Sequence, residues 1–181
     1  MDTPVTLEHV IGFLLETPLF EALESSELAE VVGIMQVQRL RDGQRVFSEG
    51  DEGDAWYVIF DGEVAVSRGS AFGPERTIAL LGTRGIFGEM AVLDGSARSA
   101  GVVARGGATL FRFPRTDFQD LVEAGSLAAY KLVYAMARVL CTRQRTITQQ
   151  LSSVIEEQPA EPKGALKASL GDMLDTYSVS E

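Results

Sequence analysis

Residues 87–100 read Phe-Gly-Glu-Met-Ala-Val-Leu-Asp-Gly-Ser-Ala-Arg-Ser-Ala. Gly85 and Gly88 let the backbone come close to whatever lies in front of it. Glu89-Met90-Ala91-Val92-Leu93 has room for one helical turn. The start of a helix exposes unpaired N–H groups and a partial positive charge, an arrangement suited to an anion. Arg98 lies past the Asp94-Gly95-Ser96 turn, and its guanidinium can complete such a site with charge-assisted hydrogen bonds. Glu89 is badly placed for an anion but suits a neutral hydroxyl donor such as a ribose 2′-OH. One acid for a sugar and one arginine for a phosphate is a way to hold a nucleotide. The other reading of Glu89 and Arg98 is an internal salt bridge that pins a loop.

Around this stretch the hydrophobic period changes twice. Val10, Phe13, Leu14 and Thr17 recur at helical spacing up to Pro18, and Leu28, Val31, Val32 and Met35 form a second apolar stripe after Ser25-Ser26-Glu27. From about residue 36 the period is two. Arg45–Ser48, Ala55–Phe60, Glu63–Arg68, Thr77–Leu81, Gly101–Ala104 and Thr109–Phe113 read as short strands, with Gly43, the polar loop 49–54 and a predicted hairpin turn at Asp61-Gly62 between them. Strands at that spacing predict an antiparallel barrel or roll. After Pro114 the helical period returns. A short helix is expected through Leu121 and Val122, and a longer one from Leu127 to about Ile155. On the longer helix Val133, Ala137, Leu140, Gln144, Ile147, Leu151 and Val154 alternate steps of four and three, a heptad seam with one polar member. Such a stripe either packs on its own domain or forms a parallel dimer seam. The dimer is the reading adopted here, because the stripe outruns a domain of this size. Residues 156–181 contain Pro159 and Pro162 and read as a tail. Its short amphipathic pattern of Leu166, Leu170, Met173, Leu174 and Tyr177 either folds onto the body or docks a partner.

Composition narrows the chemistry. The 181 residues carry 16 Lys and Arg against 26 Asp and Glu, a net charge of −10, which opposes a primary role in gripping nucleic acid. Residues 1–38 hold seven acids and no Lys or Arg, whereas residues 124–150 hold four basic residues and no acid. Without a signal-like start or a long apolar run, no membrane contact is expected, and the expected location is cytoplasmic. One cysteine, Cys141, and one histidine, His9, argue against disulfides, zinc, iron–sulfur clusters and His-based catalysis. Haem, which needs an axial His or Cys, is a minor alternative. No carboxylate pair has a spacing that supports enzymatic acid–base work.

The quoted stretch resembles the phosphate-binding cassette of cyclic nucleotide-binding domains, which reads Phe-Gly-Glu-aliphatic-Ala, a short insert, then Arg-Ser/Thr/Ala-Ala. Pro18-Leu19-Phe20, Gly43, Glu49-Gly50-Asp51 and Asp61-Gly62-Glu63-Val64 also match that family. The resemblance implies an α+β fold: a jelly-roll-like antiparallel β-roll of about eight strands, flanked by N-terminal helices and a long C-terminal helix that closes over the ligand. The expected organisation is a domain over residues 1–155, with helices in 4–36, roll in 37–114 and helices in 115–155, followed by the acidic tail 156–181. The resemblance assigns Glu89 to the ribose 2′-OH, Arg98 to the cyclic phosphate, and Gly88, Met90, Ala91 and Ser99 to backbone or hydroxyl contacts. Base contacts fall near Thr142 and Arg143, with Gln144 beside them, although Arg143 reads equally as a solvated surface charge. Ser99 does not separate cyclic AMP from cyclic GMP; cyclic AMP is the ligand adopted. The roughly 26 residues after Ile155 are too few for a winged helix-turn-helix. The expected protein is therefore a non-enzymatic receptor that needs no cofactor. It is expected to form a homodimer through the 127–155 helix and to signal to an unknown protein rather than to DNA. The alternative is a roll scaffold that has lost its ligand.

Overall fold

The computed structural model describes residues 6–70 and 73–157; the amphipathic pattern of the tail and the expected helix start at residue 4 lie outside them. Thr6 caps the first helix, α1 (Leu7–Leu15), by accepting from the His9 amide at 3.3 Å. Val10 and Leu14 face the core, and a 3-10 turn at Pro18–Phe20 inserts Leu19 and Phe20 beside them. The second helix, α2 (Ser25–Gly33), opens with a capping box in which Glu24 and Glu27 each satisfy the other's backbone end.

Six antiparallel strands follow among the described residues: β1 (Gln36–Leu40), β2 (Arg45–Phe47), β3 (Ala55–Ser70), β4 (Gly73–Leu81), β5 (Ile86–Phe87) and β6 (Gly101–Pro114). Their order is β1-β6-β3-β4, with β2 also on β6 and β5 on β3. The strand count falls below eight because two predicted pairs of strands are each continuous. Gly101–Ala104 and Thr109–Phe113 belong to β6, and the predicted hairpin at Asp61-Gly62 is a bend inside β3. Register slips on either side of it, between Ile59 and Asp61 and between Gly62 and Glu63. Gly62 sits at φ +91°, and a Cβ there would lie 2.4 Å from the Gly107 carbonyl oxygen. Glycine is needed here for close approach between bent strands, not for a chain reversal.

Alternation along β3 and β6 sorts their side chains onto two faces. On one, Trp56 stacks on Phe113 with ring centroids 4.0 Å apart, and Phe20 and Phe118 pack around them. On the other, Tyr57, Ile59, Val64, Phe87, Val102 and Leu110 fill the roll. Three further helices follow among the described residues: α3 (Glu89–Asp94), α4 (Arg115–Glu123) and α5 (Leu127–Glu157). The first turns of α5 bury Ala128, Ala129, Leu132 and Met136. They are tied to α2 by Lys131, which reaches both Glu27 carboxylate oxygens at 2.7 and 2.8 Å, and by Ser126, whose hydroxyl donates to Glu30 at 2.9 Å.

The chain divides after Arg138 into two compact units. The part of α5 from Val139 belongs to the second and is described by itself. Cys141, Gln144, Ile147 and Leu151 are exposed there, and the hydroxyls of Thr146, Thr148 and Ser152 bond carbonyls one turn back.

Candidate functional site

The cassette is built by three segments meeting at Arg98. Its backbone is clamped to the loop before β3: the Gly50 amide donates to the Arg98 carbonyl at 2.9 Å, and the Arg98 amide donates to the Asp51 carbonyl at 2.8 Å. The side chain then runs inward and is only 1% exposed. Nη1 donates to the Gly88 carbonyl at 2.9 Å, and Nη2 donates to Asp54 Oδ1 at 2.9 Å and to the Ala55 carbonyl at 2.7 Å. The guanidinium lies 4.1 Å from the Phe47 ring centroid, a cation–π contact that a buried setting strengthens. Phe47 itself packs on Tyr57 and Phe87. Among the described residues Nε is buried with no hydrogen-bond partner. A buried charged donor left in that state is costly, so an acceptor brought to it gains more than one placed in water.

Two glycines shape the cradle. Gly88 caps α3 in the left-handed conformation, φ +77°, and a Cβ on it would stand 2.7 Å from Arg98 Nη1. A Cβ on Gly53 would overlap that of Ala91, at 2.4 Å. The loop therefore touches α3 directly, and both Gly53 and the small Ala91 are fixed by that contact. Glu89 opens α3 and is 2% exposed. Met90 is exposed, Ala91 is buried, and Ser99 is exposed immediately after Arg98. The structure thus brings Gly88, Glu89, Met90, Ala91, Arg98 and Ser99 into one neighbourhood. Thr142, exposed, and Arg143, half-buried, lie on the second unit's part of α5.

Two residues that govern Arg98 carry no local signal in the sequence. Asp54 bridges two arginines: its Oδ1 accepts from Arg98, and its Oδ2 accepts from Arg112 Nη2 at 2.8 Å. Arg112 is steadied in turn by Gln36 Oε1 at 2.9 Å. Partial burial pushes the Asp54 carboxyl up, but the hydrogen bond and charge of Arg112, and then those of Arg98, outweigh it and hold the group below the ordinary carboxylate range. A carboxyl depressed in the folded state adds stability above its unfolded pKa, about 4, and that stability is lost as pH falls through the folded value. Asp54→Asn is therefore expected to flatten the dependence of melting temperature on pH below about 4, measured by thermal scans. The effect is modest because the Asp54 side chain is 60% exposed. A slope identical to wild type would show that the two arginines do not depress this group.

The family model for the cyclic nucleotide-binding domain matches residues 37–124. The Cyclic AMP receptor protein of Thermus thermophilus is 36% identical over 124 residues, covering 68% of this chain and 57% of that protein. A cAMP-dependent protein kinase regulatory subunit of Mycosarcoma maydis is 33% identical over 94 residues, covering 52% of this chain and 18% of that protein. This chain thus spans less than two thirds of the curated relatives it matches. The crystal structure of a cyclic nucleotide-binding domain from Methylobacillus flagellatus superposes with a TM-score of 0.70 at 24% identity, covering 86% of this chain and 85% of that one. The α+β roll with flanking helices is that of these domains. Residues 37–124 belong to the cyclic nucleotide-binding domain family. Among the described residues no helix is long and apolar enough to cross a membrane.

Proposed function

We propose that this chain is a receptor for a cyclic mononucleotide, cyclic AMP in preference to cyclic GMP, and that it signals through protein contacts rather than by binding DNA or catalysing a reaction. The observation that carries this reading is the buried Arg98 guanidinium, fixed at three points and, among the described residues, still holding an unpartnered Nε–H. A cyclic phosphate brings one negative charge and acceptor oxygens to that group. Glu89 takes the ribose 2′-OH, and the amides around Gly88, Met90 and Ala91, with the Ser99 hydroxyl, complete the cradle. Thr142 and Arg143 serve the base. The preference for cyclic AMP follows the named relatives, a cyclic AMP receptor and a cAMP-dependent kinase regulatory subunit. The net charge of −10 disfavours DNA as the output.

Signalling needs two states with different ligand affinities. In this reading α5 supplies them by forming a parallel homodimer along Ala137, Leu140, Gln144, Ile147 and Leu151. Ile147 and Leu151 are 50% and 58% exposed in the single chain. Gln144 serves both the seam and the base site and so couples them. Gln144→Leu is expected to change either the dimerisation constant, read by sedimentation equilibrium, or nucleotide affinity. If it alters neither, the coupling is wrong.

One observation favours a second reading, in which the roll is a ligand-free scaffold: Asp54 already neutralises Arg98 from within. Isothermal titration with cyclic AMP and cyclic GMP separates the two. The receptor gives saturable heat with at least one nucleotide, and the scaffold gives none with either.

A further inference from the structure

Helices α1 and α2 leave a groove between them, a cavity of about 330 Å³ walled by Leu7, Ile11 and Leu15 of α1 and by Leu28, Ala29 and Val32 of α2. Leu7, Ile11 and Leu15 repeat every four residues along one side of α1 and are 64%, 38% and 54% exposed. Their neighbours Val10 and Leu14 are buried, so α1 carries two apolar faces and only one is used by the core. A helix apolar beyond its core stripe marks an interaction face. Each wall is nine residues long, about 13 Å, which matches some two and a half turns of a docked helix.

Charge identifies the occupant. Residues 6–38 hold Glu8, Glu16, Glu21, Glu24, Glu27 and Glu30 and no Lys or Arg. Glu27 is neutralised by Lys131 and Glu16 by Arg84. Glu8, Glu21 and Glu24 are exposed around the two helices. The chain's own tail has six acids and two lysines over residues 156–181, so its like charge disfavours it as the occupant. We infer that the α1–α2 groove docks an amphipathic helix of a partner protein, with leucine-like anchors in the groove and Lys or Arg along its flanks. The inference rests on the reading that this chain signals through protein contacts, and it supplies the surface and the chemistry of the partner.

The test uses the full chain and fluorescent peptides of about 18 residues, roughly five helical turns. One has leucines on one helical face and lysines elsewhere, a second has glutamate in place of lysine, and a third has glutamine in place of leucine. Anisotropy is expected to show saturable binding of the first peptide, and at least tenfold weaker binding of the other two. Leu15→Glu, and separately Leu7→Glu, are expected to weaken the first peptide by tenfold or more. Both sites are exposed, and an unchanged melting temperature and circular dichroism spectrum verify the fold. Equal binding of the lysine and glutamate peptides overturns the charge complementarity, and unchanged binding by both variants overturns the groove. If Leu15→Glu instead converts a larger wild-type species to a smaller one in sedimentation without peptide, the face joins copies of this chain and the inference fails. Nucleotide titration of the same samples is read separately, so retained nucleotide heat with no peptide binding rejects this surface alone.

Discussion

Replacing Arg98 with alanine is expected to weaken cyclic nucleotide binding by roughly 10- to 150-fold, the equivalent of about 1.5–3 kcal/mol for a hydrogen bond to a charged group. The same change damages the protein without ligand. The Ala55 and Gly88 carbonyls lose their donor, and Asp54 keeps only Arg112. The melting temperature should therefore fall as well, and calorimetry must be run well below it. Arg98→Lys separates charge from shape. An ammonium restores a positive charge but cannot present a planar fork to Asp54 and two carbonyls while lying over Phe47. It is expected to recover part of the stability and little of the affinity. If Arg98→Ala binds nucleotide as tightly as wild type while folded, Arg98 is a structural pin and its assignment to the phosphate fails.

Asp54 makes this experiment more than a deletion of one contact. Its carboxylate is divided between Arg98 and Arg112, so an incoming phosphate meets an arginine that already has an anion. Three of the five guanidinium N–H donors are engaged, which leaves one on Nη1 and the Nε–H, and Nε is buried without a partner among the described residues. A phosphate can be accepted while Asp54 stays in place, because Arg112 carries the second half of the Asp54 charge. In the receptor reading the internal pair is a positioning device, holding the guanidinium at Asp54 before the ligand arrives and lowering the ordering cost of binding.

The local signals in the sequence and the long-range ones fared differently. The cassette was legible because its residues lie within one short stretch, where glycine, one turn of helix and a following arginine have meaning by spacing alone. The structure places that turn at Glu89–Asp94 and buries Arg98 behind it. Both long strands were legible as strand but not as single strands. Gly62 reads locally as a turn, and its role as a bend depends on Gly107 lying opposite. Asp54 was hidden for the same reason. The loop 49–54 holds four acids, and nothing local selects Asp54. The choice is made by the pairing of β3 with β6, where Tyr57 lies opposite Arg112. Arg98 and Arg112 stand 44 and 58 residues away in the chain, and only the fold brings them to the same carboxylate.

The largest loss of stability is expected from Trp56→Ala. Trp56 is fully buried, lies nearly parallel to Phe113 at 4.0 Å, and meets Phe20 and Phe118. Emptying such a site costs about 3–5 kcal/mol, a large part of the roughly 5–15 kcal/mol available to a folded chain. For a chain of this length that lowers the melting temperature by about 6–20 °C. Trp56→Phe tells packing from polarity. It keeps an aromatic ring on Phe113 and removes an indole Nε1–H that is buried without a partner among the described residues. Losing an unsatisfied donor relieves about 1–3 kcal/mol, which offsets much of the lost ring area. Trp56→Phe is therefore expected to cost less than half as much as Trp56→Ala. The effect also reaches the site, because Trp56 follows Ala55, whose carbonyl anchors Arg98. Trp56→Phe should keep nucleotide affinity near wild type, whereas Trp56→Ala, titrated while still folded, should lose affinity through a loosened Arg98. Thermal unfolding by circular dichroism, paired with calorimetry, reads both quantities. Equal destabilisation by the two variants would show that the indole N–H is satisfied after all and that its hydrogen bond, rather than the aromatic stack, holds this face of the roll.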